Sequence, residues 1–489
     1  METKKPSGSS PGRAPENAPT LKKSLGVTSI VFSVLAWAAP LLVVAGQMPT
    51  IIAYSQDGVL IGYCIPFVVV LFFSVGYVAI TKFVDRPGAF YAYITAGLGK
   101  KAGLGGAFIA VFGYAILLIS TWLGFGCLLG QSIVEFGGPE LPWYVCAFIG
   151  IAITAILAIF SVNISAGVLV ALMGCEAIII LIFDIAVGFD GGPDGFPTAA
   201  FTPEGSFGCN YLGLAALFGT LCFIGFESST IYREEAKDPE KTIARATYIS
   251  VIAIGAFYVI SSIMMLMALG EDGVNSLQLD EASALFTVLA ESFVGQWLSK
   301  CVSIFIITST FAALLAQHNA VSRYAFSFGT DGVLPKFFAK VHARYGSPYM
   351  ASVVVTILEV LFVLAIMCGT GFDPAGVVAY VLYMRINGLG AMTVIVLMCL
   401  VSLAILVYFK THRTDLSAWK KVIAPVLGLI GLLILLVLSL TNVDMLIGAS
   451  FGVSLGLCIF IPIVFIAGFG YASSLQKRKP EVYLKIGRQ

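Results

Sequence analysis

Apolar runs of about 20 residues recur along almost the whole chain, and they limit its possible folds more than any other feature. A run of that length crosses the hydrocarbon core of a bilayer as an α-helix, whereas the strands of membrane barrels are shorter and alternate in polarity. Charged residues make up only 11% of the 489 residues, against roughly 25% in soluble domains. The sequence therefore predicts an all-α polytopic membrane protein.

We predict twelve membrane spans, at 26–48, 58–81, 104–131, 142–162, 165–188, 210–231, 243–270, 297–326, 348–368, 374–409, 418–440 and 446–471. The tenth is too long for one crossing, and the pair Asn387-Gly388 predicts a separate or kinked piece there. Two shorter segments, 88–100 and 272–293, have the pattern of surface helices, which either act as gates or simply pack on the bundle.

The two ends of the chain differ in composition from the middle. Residues 1–24 are rich in Pro, Ser and Gly and predict a disordered cytoplasmic tail. Residues 25–472 form the predicted transmembrane domain, and 473–489 form a second cytoplasmic tail. The stretch "KKSLGVTSIVFSVLAWAAPL" also resembles a cleaved signal peptide, but its apolar sequence continues to Met48, which is long enough to span.

Basic residues cluster on one side of the predicted spans. They follow spans 2, 6, 8, 10 and 12: Lys82, Arg86, Lys100, Lys101, Lys237, Lys241, Arg245, Lys336, Lys340, Arg344, Lys410, Arg413, Lys420, Lys421, Lys477, Arg478 and Lys479. We call this side the basic face. Loops rich in Lys and Arg stay in the cytoplasm, so both termini are predicted to be cytoplasmic.

Several classes of function are disfavoured by what the sequence lacks. A net charge of +1 gives no reason to expect a nucleic-acid partner. The ten cysteines are scattered and the three histidines form no ligand motif, so neither a metal nor another cofactor is expected. No loop is large enough for an enzyme domain, and no Walker motif suggests a nucleotide-driven pump.

Two spans carry interruptions where a membrane helix should be continuous. Span 1 contains "AAPLLVVAG" (38–46), with Pro40 and Gly46, and span 6 contains "FIGFE" (223–227), with Gly225 and Glu227. Broken helices survive at membrane depth only where they line a cavity. Interrupted helices at corresponding places in two halves indicate an inverted-repeat transporter with its binding site at the midplane. The alternative for each one alone is an ordinary kink.

Three stretches resemble the amino acid–polyamine–organocation (APC) superfamily of permeases. They are "GFESSTIYREEAKDPEKTIARATYIS" (225–250), "DRPGAFYAYITAGLGKKAGLGGAF" (85–108) and "NAVSRYAFSFGTDGVLPKFFAKVHARYGSPYMAS" (319–352). Their order and spacing agree with the superfamily over about residues 24–472. Span 1 departs from the pattern, because "APLLVVAG" replaces the usual Gly-Ser-Gly-type triplet.

The resemblance implies a five-plus-five inverted repeat with broken helices 1 and 6 and two additional helices. It also implies that the breaks hold the amino and carboxyl groups of an amino acid or a related amine. The substrate-binding residues that it implies are Ala39, Pro40, Leu41, Val44, Ala45, Gly46, Cys222, Phe223, Ile224, Gly225, Phe226 and Glu227. Phe226 is expected to cover the substrate, and Glu227 to accept hydrogen bonds from amides freed by the break or to contact the substrate.

Charges within the spans need an explanation because each one is costly there. Glu176 falls where several related families carry a lysine that serves in place of sodium. Burial favours the neutral form of a carboxyl group, so Glu176 is a candidate proton carrier, and a structural glutamate is the alternative. Sodium would need the hydroxyls of span 8, where Ala312 and Ala313 replace the usual pair. Glu359 and Arg385 receive no assigned role.

The sequence thus predicts a secondary transporter of amino acids or amines that works by alternating access, coupled to protons or acting as an exchanger. The alternatives are a polyamine or organocation carrier, a sodium symporter, and a receptor or channel that does not transport actively. The apolar lining suits a neutral amino acid. The expected location is a plasma (inner) membrane, and direction, coupling ion and oligomeric state stay open.

Overall fold

The computed structural model describes residues 25–84, 90–159, 162–209, 211–279 and 281–487. Within them, ten helical stretches are long and apolar enough to cross a membrane, so the chain is a multi-pass membrane protein. The first stretch, Val27–Thr81, has 55 residues, far more than the roughly 20 that one crossing needs. The predicted tail at residues 1–24 lies outside the described residues.

The described part of the chain contains twenty α-helices. In the first half they are α1 (Val27–Ala38), α2 (Pro40–Leu42), α3 (Met48–Ser55), α4 (Val59–Thr81), α5 (Phe90–Leu98), α6 (Lys100–Glu135), α7 (Trp143–Ile159), α8 (Val162–Asp190), α9 (Pro203–Phe207) and α10 (Leu212–Leu221). In the second half they are α11 (Pro239–Ser276), α12 (Ala282–Phe293), α13 (Gln296–Asp331), α14 (Tyr349–Gly369), α15 (Val377–Thr411), α16 (Ala424–Thr441), α17 (Val443–Ile447), α18 (Phe451–Cys458), α19 (Phe460–Arg478) and α20 (Pro480–Lys485).

The predicted interruption of span 10 is wrong. Helix α15 continues through Asn387 and Gly388 as one helix of 35 residues. A Cβ atom on Gly388 would lie 2.5 Å from the carbonyl oxygen of Leu446. The glycine therefore lets α17 approach the backbone of α15 closely, as small residues do between membrane helices.

Helix α5 occupies most of the first segment that was predicted to be a surface helix. It packs between α6 and α15. A Cβ atom on Gly97 would lie 2.0 Å from the carbonyl oxygen of Ala404, which shows how tightly α5 is seated on α15. Helix α12 covers the second half of the other segment, and it packs on α3, α8 and α13.

The C-terminal segment folds back onto the same side of the bundle as α5. The amide of Gly487 donates hydrogen bonds to the Tyr91 hydroxyl at 2.8 Å and to Asp331 Oδ2 at 3.1 Å. The Tyr91 hydroxyl donates to the same Asp331 oxygen at 2.7 Å. Lys100 Nζ donates to the carbonyl oxygen of Leu484 at 2.6 Å. The segment thereby links α5, α6 and the end of α13.

Candidate functional site

A cavity lies where the two interrupted helices meet α6, α13 and α15. Each of these three continuous helices contributes two residues that are four positions apart, and residues so spaced lie on one helix face. The lining consists of Trp37, Ala38, Ala39, Leu42, Val43, Gln47, Leu117, Thr121, Leu221, Cys222, Ile224, Ala313, Gln317, Tyr383 and Asn387. None of these side chains carries a charge, so a net-neutral ligand suits this cavity.

The first break separates α1 from α2 at a single residue. Ala39 has φ 46° and ψ 66°, a left-handed conformation that is unusual for alanine. The carbonyl oxygen of Ala38 turns away from the helix ladder and accepts a hydrogen bond from the Tyr258 hydroxyl at 3.0 Å. Pro40 then begins α2, where its missing amide hydrogen costs nothing. A wider π-helical turn, Val43–Gln47, follows before α3.

The second break begins after α10 and depends on Gly225. This residue has φ 111°, which side-chain-bearing residues rarely adopt. A Cβ atom added to it would lie 2.4 Å from Cγ of Trp37. Beyond it the chain forms 3-10 turns, Phe226–Thr230 and Arg233–Glu235, instead of continuing as an α-helix. Glycine at 225 therefore permits both the turn and the close contact between the two broken helices.

Glu227 connects the second break to α6 through hydrogen bonds. Its Oε2 atom accepts from the Gly225 amide at 2.9 Å, and its Oε1 atom accepts from the Tyr114 hydroxyl at 2.8 Å. The ring of Tyr114 packs edge-on against Trp37, with centroids 5.1 Å apart. Glu227 is fully buried and does not belong to the cavity lining. In this conformation its carboxyl group stabilises the break and does not face the cavity.

The structure brings some of the sequence-derived candidates to the cavity and leaves others beside it. Ala39, Cys222 and Ile224 line the cavity, and Gly225 forms the turn next to them. The remaining candidates, apart from Glu227, lie outside the lining: Pro40, Leu41, Val44, Ala45, Gly46, Phe223 and Phe226. The Phe226 ring is fully buried and packs edge-on against Phe73, with centroids 5.7 Å apart.

Five polar lining residues were not among the candidates taken from the sequence. They are Gln47, Thr121, Gln317, Tyr383 and Asn387. Four of them come from helices without a break, so no interruption in the sequence marks them. The available signal was an uncharged amide deep inside an apolar span, because such groups are costly in lipid and face the bundle interior.

Glu176 lies on α8 and is completely buried. Neither of its carboxyl oxygens forms a hydrogen bond with another of the described residues. The side chain of Ser309 on α13 and the backbone of Leu41, at the start of α2, lie close enough to interact with it. The carboxyl group thus sits between α8, α13 and the beginning of the second half of the first broken helix.

Further along α13, towards the residues of the basic face, four buried residues contact one another. Arg323 lies six residues beyond Gln317 on α13, which is about 9 Å along the helix axis. Its Nε atom donates to Glu235 Oε1 at 2.5 Å, and its guanidinium group lies 4.7 Å from the centroid of the Tyr232 ring. The Leu25 amide donates to the Glu235 carbonyl oxygen at 2.9 Å. We call Leu25, Tyr232, Glu235 and Arg323 the inner gate.

Other buried polar residues pair at helix contacts outside the cavity lining. The His318 ring contacts Glu359 Oε1 at 2.9 Å through Nδ1, and Ser352 Oγ at 2.8 Å through Nε2. These contacts join α13 to α14 and give Glu359 a partner that the sequence did not indicate. Asp184 accepts from the Ser261 hydroxyl at 2.8 Å. Arg385, which is not buried, donates to the carbonyl oxygen of Gly448 at 3.2 Å.

Two broken helices that meet at an uncharged cavity within a helical membrane bundle are typical of solute carriers. The chain matches the family described as "Amino acid permease" over residues 23–466. Since that match covers most of its length, the chain belongs to this family. The resemblance to APC-superfamily permeases that the three sequence motifs indicated is confirmed.

Characterised and uncharacterised permeases are among its relatives at low identity. The chain is 26% identical to the uncharacterized amino acid permease YecA of Bacillus subtilis, over 57% of this chain and 62% of that protein. It is 25% identical to the human cystine/glutamate transporter, over 58% and 56%. It is 26% identical to the branched-chain amino acid permease BcaP of Lactococcus lactis, over 66% and 70%. The match spans about three fifths of the length of the first of these relatives.

Proposed function

We propose that the protein is a secondary active transporter of amino acids that works by alternating access. The observation that carries this proposal is the meeting of two broken helices at one uncharged cavity. An isolated kink in one helix would not create such a site, and a scaffold gains nothing from a pair of them. The names of the relatives, which include amino acid permeases and transporters, support the same class.

The arrangement of the chain that we infer is the one the sequence predicts. Twelve spans form a five-plus-five inverted repeat followed by two more helices, with both termini in the cytoplasm of a plasma membrane. The 55-residue first stretch supports two crossings, because Gln56 turns the chain with φ 50° and ψ −128°. The 17 residues of α7, Trp143–Ile159, supply a further short crossing.

The broken helices supply the groups that would hold the backbone of an amino acid. The start of a helix carries partial positive charge and unpaired amide hydrogens, so it binds a carboxylate. The end of a helix presents unpaired carbonyl oxygens, which accept hydrogen bonds from an ammonium group. Helix α1 ends at Ala38, α2 begins at Pro40 and α10 ends at Leu221, each in the cavity lining or next to a residue that lines it.

A carrier of polyamines or other organic cations is the second candidate, and the lining disfavours it. A cationic substrate needs a carboxylate in its site, but Glu227 already accepts two hydrogen bonds and lies outside the lining. A sodium symporter needs hydroxyl ligands on α13. The hydroxyl-bearing residues in this part of α13 are Thr308, Ser309 and Thr310, and none of them belongs to the cavity lining.

Uptake by the purified full-length protein in proteoliposomes tests the proposed function. We expect saturable uptake of at least one radiolabelled amino acid, and faster uptake when the same amino acid is present inside. A channel would give flux without this acceleration by internal substrate, and a receptor would bind without flux. Competition by each of the twenty amino acids and by putrescine would separate an amino acid carrier from an amine carrier.

We further propose proton coupling through Glu176. A buried carboxyl group that forms no hydrogen bond is more stable when protonated. It can therefore bind a proton and release it when water reaches it. Its position beside the start of α2 lets that change of charge act on the broken helix. For one proton per substrate, a pH difference of one unit can support up to about tenfold accumulation.

Glu176→Gln is therefore expected to abolish accumulation driven by a pH gradient while substrate exchange continues. Glutamine has the shape of the protonated glutamate but cannot release a proton. Accumulation is measured in proteoliposomes over a range of external pH. Asp184→Asn removes another buried carboxyl group from the same helix and is expected to keep the wild-type dependence. An unchanged pH dependence in Glu176→Gln would exclude this residue as the proton carrier.

A further inference from the structure

Gln317 has an unused hydrogen-bonding group at the cavity. Its side chain lines the cavity and is only 6% exposed. Its Oε1 atom has no hydrogen-bond partner within the described residues. A buried amide oxygen without a partner costs free energy, and a ligand group that donates to it removes that cost. The amide can present its oxygen or, after rotation by half a turn, its nitrogen, so it can accept or donate.

Two other polar side chains of the lining already form hydrogen bonds. The Thr121 hydroxyl donates to the Leu117 carbonyl oxygen at 2.7 Å. Gln47 Oε1 accepts from the Cys222 thiol at 3.1 Å. Among the polar side chains of the lining, Gln317 is thus the one with a buried oxygen left unpaired in the described part of the chain. It lies on α13, which is unbroken and therefore separate from the helix ends that suit the substrate backbone.

The cavity is also small. It has a volume of about 70 Å³, well below the roughly 300–1,000 Å³ of pockets that hold drug-sized ligands. The apolar neighbours Leu117 and Ala313 occupy the adjacent wall and leave no charge to meet a long ionic side chain.

From this combination we infer that the substrate is a small neutral amino acid whose side chain carries a hydroxyl or amide group, and that Gln317 recognises that group. This inference rests on the proposed transport function and concerns the same cavity. Threonine, serine and asparagine satisfy both requirements. Valine has almost the shape of threonine but carries a methyl group in place of the hydroxyl group, so it would leave the Gln317 oxygen unpaired.

The test compares threonine with valine as competitors of labelled threonine uptake, using the full-length protein in proteoliposomes. We expect threonine to bind at least about tenfold more tightly than valine, since a site built to hydrogen-bond a hydroxyl group rejects the analogue without it. Gln317→Met keeps the length of the side chain without its amide, and it is expected to bring the ratio close to one. Gln278→Met, at an exposed loop residue, is the matched control and should retain the wild-type ratio.

The outcomes separate this inference from the proposed function. If no amino acid is bound or transported, both are wrong. If amino acids are transported but valine competes as well as threonine in the wild-type protein, the inference alone is wrong. A Gln317→Met protein that melts like the wild type and keeps its preference for threonine would overturn the role of Gln317. Should that variant fail to fold, the wild-type ratio still decides whether the hydroxyl group is recognised.

Discussion

Gly225→Ala is expected to reduce transport strongly and to lower the melting temperature of the protein. The φ of 111° at this residue is strained for any side-chain-bearing residue, at a cost of about 1–3 kcal/mol. The new methyl group would also lie 2.4 Å from Cγ of Trp37. The Trp37 side chain cannot move freely, because its ring packs on Tyr114, and the Tyr114 hydroxyl donates a hydrogen bond to Glu227. The clash therefore displaces the whole second break and the cavity wall that it forms.

Initial uptake rates in proteoliposomes and thermal melting in detergent measure these two effects. We expect uptake to fall by at least about tenfold, which corresponds to 1.4 kcal/mol. Gly470→Ala is the matched control, since that glycine lies inside α19 with no neighbouring atom within 4 Å of an added Cβ. It should change neither quantity appreciably. A Gly225→Ala protein that transports normally would show that the turn at this residue is dispensable.

The main features of the fold follow from the sequence because they rest on local rules. Apolar runs of spanning length predict membrane helices wherever they occur. Pro40 and Gly225 mark the two breaks, because one cannot donate to the helix ladder and the other can turn with positive φ. The continuity of α15 was not predictable in this way. Gly388 has the same local preferences whether it kinks a helix or admits the backbone of Leu446.

The residues that line the cavity were only partly predictable, because they depend on which faces of helices far apart in the sequence meet. Ala39, Cys222 and Ile224 come from the breaks themselves and were named from the sequence. Gln317 and Asn387 come from unbroken helices, and their facing direction is fixed by tertiary packing. The pairing of His318 with Glu359 is likewise a contact between two helices, 41 residues apart in the chain. A single sequence indicates that such polar groups face the bundle interior, but it does not show which helix they meet.

Arg323→Met is expected to open the inner gate. The Arg323 and Glu235 side chains are buried, with 5% and 1% of their surfaces exposed, and they lie 2.5 Å apart. Removing one member of a buried ion pair leaves the other charge without compensation and typically costs 3–5 kcal/mol. Water entering from the basic face would solvate Glu235 and relieve this cost. The variant should therefore favour a state that is open towards the basic face.

Hydrogen exchange followed by mass spectrometry reports directly on this gate. The amides of Leu25 and Lys237 are hydrogen-bonded across it, at 2.9 and 3.0 Å, and we expect both to exchange faster in Arg323→Met. The affinity for substrate added on the side opposite the basic face should also fall. The decrease should match the decrease in the population of the state with a closed inner gate.

The double variant Arg323→Met/Glu235→Leu decides whether the charge or the packing keeps the inner gate closed. It leaves no uncompensated charge, and replacing both members of a buried pair with apolar residues is often neutral or stabilising. It should therefore recover most of the protection from hydrogen exchange that the amides of Leu25 and Lys237 lose in the single variant. Lys241→Met removes a cation from an exposed pair with Asp238, 3.7 Å apart, and should leave exchange at Leu25 unchanged. If the double variant opens as far as Arg323→Met alone, the shape of the arginine, and not its charge, closes the gate.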